Sequence, residues 1–163
     1  MKILHPRLRT STWTTGIILA FALFMGGCTV KLVADYDSAT YEEILRVAKE
    51  VDKFYGILLD MPEKERAYKG FSGKYIELEA TIRSLYTRNL TRPLNKESTK
   101  ISENILELWI KYKDRHKTSD TYTSGNAKLE RIRLQRMFVY AADAEVAKKL
   151  DDEDRGATKK DAK

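Results

Sequence analysis

One cysteine, two histidines and three prolines are all that 163 residues hold of the types that most often mark metal sites, nucleophiles and chain breaks. Each shortage excludes something. The single cysteine, Cys28, cannot form an internal disulfide. With only His116 beyond it, the usual zinc ligand sets and a Cys–His nucleophile are excluded as well. No G-x-S-x-G, H-E-x-x-H or P-loop pattern occurs, and the Glu-with-Glu-x-x-His pattern of di-metal bundles is missing. No repeat recurs at solenoid periods, and the two-residue alternation of half-buried strands is absent. The longest apolar run, residues 17–25, is nine residues. As a helix it would rise about 14 Å, roughly half a hydrocarbon core.

That run has a context. Lys2, Arg7 and Arg9 charge the segment before it, which holds no acid, and Gly26, Gly27 and Cys28 follow. A basic start, a short apolar stretch and small residues together read as a secretory signal peptide. The stretch Met25-Gly26-Gly27-Cys28 resembles the lipobox of bacterial lipoproteins, with Met25 standing where a branched aliphatic residue is usual. The resemblance covers residues 1–28. It implies cleavage between Gly27 and Cys28, acylation of the Cys28 thiol with palmitate-type chains, and attachment to a membrane of the cell envelope. Thr29 follows the cysteine. In Gram-negative lipoproteins an Asp there usually marks inner-membrane retention, so Thr29 implies the outer membrane, facing the periplasm. Without the resemblance, a lone cysteine reads as a small buried hydrophobe.

The segmentation that follows is a signal peptide over 1–27, a lipid-anchored tether over 28–37, a helical domain over 38–150 and a disordered tail over 151–163. Residues 1–27 carry three basic residues and no acid, so a chain starting at Cys28 has 27 basic and 24 acidic residues, net +3 against +6 for the whole. Much of the positive charge is targeting sequence, and nucleic acid is not an expected partner. The remaining 136 residues are enough for one domain with a single core.

Helical spacing runs through that domain. Asp37 or Ser38 can cap a first helix, with Thr40 and Glu43 placed as a capping box. Tyr41, Ile44, Ala48, Val51, Tyr55 and Leu58 then make one apolar stripe, which Pro62 ends. The stretch 62–73 reads as a short helix and a bend, interrupted by Gly70 and Gly73. A second long helix over about 73–89 carries Tyr75, Leu78, Ile82 and Leu85, with Phe71 just ahead. A third, opened by Asn95 or Ser98, carries Ile101, Ile105, Leu108 and Tyr112, with Trp109 beside the stripe. A fourth runs over about 126–150. Its middle, residues 137–144, is apolar nearly all round and is the candidate for the most buried element. The expected fold is all-α, an up-and-down bundle of three to four helices.

Catalytic chemistry is not legible, and the chain is not expected to be an enzyme or to carry a cofactor or metal. Asp35 with Asp37, Glu77 with Glu79 and Glu103 with Glu107 show none of the contrast in environment that paired acid catalysts need, and read as caps and solvated faces. His116 sits in a basic helix end and reads as solvated. Of nine tyrosines, Tyr41, Tyr55, Tyr75 and Tyr112 fall on core stripes; they line either a core edge or a ligand groove. Lys128, Arg131, Arg133 and Arg136 open the fourth helix and make either a solvated face or a contact for an anionic partner.

Two further resemblances complete the reading. Residues 32–37, "LVADYD", resemble a segment of helical bacterial lipoproteins with no known activity. The chain ends on Lys163, and the murein lipoprotein of enteric bacteria is similar in joining a lipidated cysteine to a C-terminal lysine attached to peptidoglycan. That family is a continuous coiled coil, whereas proline and glycine interrupt this chain. The leading expectation is a lipid-anchored helical interaction protein with an envelope protein as partner. A tyrosine-lined module for glycan or lipid, and an exclusion or immunity lipoprotein, are the alternatives.

Overall fold

In the computed structural model, which describes residues 31–161, four α-helices carry the chain: α1 (Ser38–Asp60), α2 (Tyr68–Thr91), α3 (Lys96–Ser119) and α4 (Ser124–Asp161). A short 3-10 turn, Glu63–Glu65, joins α1 to α2. No strand occurs among the described residues. α1 packs most extensively on α4 and α2 on α3, with α3–α4 and α1–α2 closing the ring. The protein is an all-α, up-and-down four-helix bundle.

Local chemistry explains the start of α1. Asp37 caps α1, its carboxylate accepting from the Ala39 amide at 3.1 Å and from the Thr40 hydroxyl at 2.5 Å. The capping box expected of Thr40 and Glu43 does not form: Asp37 is the cap, Thr40 lies inside the helix and donates to Asp37, and Glu43 turns to Arg46 at 2.7 Å. α2 begins earlier than the glycines suggest. Gly70 and Gly73 both lie inside it, since its inner face is already anchored by Phe71 and Tyr75 and packing outweighs propensity. A β-carbon at Gly73 would meet nothing within 4 Å, and no glycine among the described residues has positive φ. Gly73→Ala is therefore expected to stabilise the fold by about 0.5–1 kcal/mol by restricting the unfolded chain. A rise in the urea midpoint checks this; a fall would mean that the helix needs flexibility there.

The core is aromatic at its centre. Phe54, Tyr55, Tyr75 and Trp109 are essentially inaccessible, and the Phe54 ring lies 4.7 Å from Tyr75 and 5.3 Å from Trp109 between centroids, edge to face. Ile44, Val51, Leu78, Ile82 and Ile105 are buried as expected. α3 is rotated from its expected face: Leu106 and Trp109 point inward, while Ile101 and Leu108 are half-buried. The large indole fixes the rotation, because burying it removes more apolar surface from water than burying Leu108 would.

Three further expectations change. The segment read as a tether is held from Ala34 onward, as detailed below. The middle of α4 is amphipathic, with Phe138 and Ala141 buried but Val139 and Tyr140 more than half exposed. Helix α4 also continues through Asp161, across the stretch expected to be disordered. Lack of apolar periodicity shows that a segment is not buried; extending an existing helix needs no new nucleus.

Candidate functional site

Two stripes run along α4. Ala127, Glu130, Leu134, Phe138, Ala141, Glu145 and Lys148, spaced by three and four, are buried. On the opposite side of the same helix Leu129, Ile132, Val139, Tyr140, Val146 and Leu150 are all exposed. Arg136 and Asp143 fall on this outer line, and both are exposed. The helix can turn this face outward because the polar members of its inner stripe find partners across the bundle. Tyr55 donates to Glu130 at 3.2 Å, and Glu130 is ion-paired with Arg115. Glu145 is gripped by Arg92 at 3.2 Å and by Lys148 at 2.6 Å.

The outer face continues into a groove of about 550 Å³ between α1 and α4. Leu45, Ala48, Phe138, Val139 and Ala142 form its apolar floor; Lys49, Asp52, Gln135 and Asp143 form its rim. None of these is a tyrosine. Tyr55, Tyr75 and Tyr112 lie wholly inside the core, away from this groove.

The basic residues at the start of α4 are not equivalent. Arg131 makes a two-point ion pair with Asp52, both bonds 2.7 Å, and these bonds hold the Asp52 carboxyl below its ordinary value. Arg131 is thus committed within the fold. Lys128, Arg133 and Arg136 are exposed, with Arg136 on the apolar outer line. Cys28, Gly27, Thr29 and Lys163 lie outside the described residues.

The acidic pairs serve structure. Glu79 bridges Lys113 at 2.5 Å and Arg83 at 2.9 Å, which holds its carboxyl below the usual range. Glu77 pairs with Lys74, Glu103 with Lys100, and Asp37 caps α1. No cluster of metal-ligating side chains occurs among the described residues.

His116 overturns its expected place. It is fully buried and stacks on Tyr122 with ring centroids 4.5 Å apart. Its Nε2 lies 2.7 Å from the Arg66 carbonyl, which can only accept, so Nε2 carries the proton and Nδ1 accepts from the Tyr75 hydroxyl at 3.1 Å. Arg66 is the hidden organiser of this end of the bundle. Only 3% exposed, it donates to the carbonyls of Leu59, Met61 and Tyr122 and to the Ser124 hydroxyl, closing the end of α1 against the α3–α4 connection. Nothing in the run of charges around it marks Arg66 as buried; tertiary closure alone places it there.

Burial pushes the His116 pKa below histidine's ordinary value, so the folded chain holds a neutral ring. As pH falls through the unfolded-state value of about 6.5, the unfolded chain takes up a proton that the folded chain refuses until the lower folded value is reached. Stability is therefore expected to drop across that window on acidification, and His116→Gln should flatten the drop. Urea midpoints from neutral pH down to about 5 test this before the carboxylates titrate. A flat wild-type profile would contradict the neutral buried ring.

No helix among the described residues is long and apolar enough to cross a membrane. Comparison of the chain with protein-family models, with curated proteins and with solved structures finds no match.

Proposed function

We propose that this chain is a lipid-anchored helical interaction protein of the bacterial cell envelope, attached through Cys28 and meeting a protein partner along the outer face of α4. The observation that carries the reading is the apolar outer line of α4, on which Ile132, Val139 and Val146 recur every seven residues with all three side chains exposed. A line of aliphatic and aromatic side chains at helical spacing suits a second amphipathic helix laid alongside it. The groove floor at Leu45 and Phe138 widens the contact, and the exposed cations Lys128, Arg133 and Arg136 favour an acidic rim on the partner.

Anchoring and partnering are tested separately. Cys28→Ser is expected to abolish incorporation of labelled palmitate and to leave unprocessed precursor. Equal labelling of both forms would end the lipid-anchor reading. For the partner, a photo-crosslinker placed at Val139 or Tyr140 in intact envelopes should capture a discrete envelope protein that the same probe at Lys74, on α2, does not. Identical products from all three positions would remove α4 as the partner surface.

A further inference from the structure

Leu94, in the connection between α2 and α3, has φ of 58°, a left-handed conformation that side-chain-bearing residues adopt rarely. Its side chain is 52% exposed, so the core gains little from holding a leucine there. The loop is nevertheless tied down. Asn95 donates to the Asn89 carbonyl at 3.0 Å and to its side-chain oxygen at 2.9 Å, and the Leu94 carbonyl accepts from the Ala34 amide at 3.0 Å. That last bond sets the segment bearing Leu32 and Val33 beside the loop. Leu32, Val33, Leu90 and Leu94 are all exposed, from two stretches of chain joined by a backbone hydrogen bond. A strained backbone that presents an aliphatic side chain to solvent points to use of that side chain outside the fold.

Chain length says what it meets. The segment is pinned at Ala34, and further on by Asp152 to the Tyr36 amide at 3.0 Å and Glu145 to the Asp37 amide at 2.9 Å. Five residues lie between Cys28 and Ala34, and the six steps of chain reach at most about 21 Å fully extended. With acyl chains on Cys28 in a bilayer, this end of the bundle has no freedom to stand far from the headgroups. We infer that Leu90 in the last turn of α2 and Leu94 in the α2–α3 connection, with Leu32 and Val33 beside them, form a wedge that enters the lipid interface and seats the bundle end-on against the membrane. The inference rests on the acylation of Cys28 proposed above. Its functional consequence is orientation: α4 then points its C-terminal end, tied to Tyr36 through Asp152, toward the bilayer and its start away from it, and offers its outer line sideways to a partner.

The test uses the full chain, purified with its processing intact and reconstituted into vesicles of phosphatidylethanolamine and phosphatidylglycerol bearing brominated acyl chains. A tryptophan is introduced by Leu94→Trp or, near the start of α4, by Leu129→Trp; native Trp109 is buried and gives the same background in both. Leu94→Trp should lose most of its added fluorescence to the brominated lipid, and Leu129→Trp should lose none. Leu94→Gly provides a second readout, because it relieves the left-handed strain: it should raise the urea midpoint yet lose the bilayer-dependent amide protection of the α2–α3 loop. Vesicle-bound protein with Leu94→Trp unquenched would overturn the wedge and leave the anchor standing. Quenching of both positions alike would also overturn it, since the bundle would then lie flat. Protein that neither floats with vesicles nor carries acyl mass would overturn wedge and anchor together.

Discussion

Glu145→Ala is expected to destabilise the bundle by about 3–5 kcal/mol. Glu145 is completely inaccessible, and its carboxylate serves three donors: Arg92 at 3.2 Å, Lys148 at 2.6 Å and the Asp37 amide at 2.9 Å. Truncation removes the carboxylate that Arg92 and Lys148 share, so two cations remain with one acid lost. Arg92 keeps its bond to the Asp35 carbonyl, and Lys148 keeps the Asn95 side-chain oxygen at 2.6 Å. Burial already holds the Lys148 ammonium below lysine's ordinary value even with Glu145 alongside. Without that carboxylate, Lys148 must either stay charged in a poorly solvated place or give up its proton, and both cost stability. Glu145→Gln should cost less, since the amide oxygen can still accept from Asp37. Joint replacement of Glu145 and Lys148 by leucine should recover much of the loss, because the cost lies in stranding a charge. Urea unfolding of the set is the measurement. A loss under about 1 kcal/mol for Glu145→Ala would mean that water reaches the cluster and screens it.

Trp109→Ala is expected to cost a similar amount, about 3–5 kcal/mol, through a different mechanism. The indole has no accessible surface and sits among Phe54, Tyr55 and Tyr75, with its Nε1 donating to the Tyr75 carbonyl at 3.2 Å. Truncation removes a large transfer free energy and leaves a cavity walled by stiff rings, which cannot close over it. Leu108→Ala, one residue earlier on the same helix, should cost clearly less, since Leu108 is only half-buried. Equal costs at the two positions would mean that α3 faces the core along its aliphatic stripe, as its spacing suggests, instead of along Trp109.

Much of this architecture follows from the chain alone. Spacing by three and four, scarce proline and the absence of strand alternation dictate helices, and short connections between them dictate neighbours that run antiparallel. Asp37 and Pro62 set the ends of α1 by local chemistry, so α1 matches its expected range closely. The lipobox-like segment likewise stands on sequence pattern alone.

Tertiary structure decided what periodicity leaves degenerate. A helix with apolar residues all round has no face preference of its own. In α4 the choice went to the stripe containing Glu130, Glu145 and Lys148, because Arg115, Arg92 and Asn95 come from other helices and connections to satisfy them. That choice turns Ile132, Val139 and Val146 outward and creates the candidate surface. His116 and Arg66 were illegible for the same reason. A polar side chain is buried only when its partners exist, and here those partners are the Tyr75 hydroxyl and the carbonyls of Leu59, Met61 and Tyr122, residues remote in the chain or at helix ends. Hydrophobic burial is written residue by residue and can be read that way; polar burial is a property of pairs, and only the assembled bundle brings the pairs together.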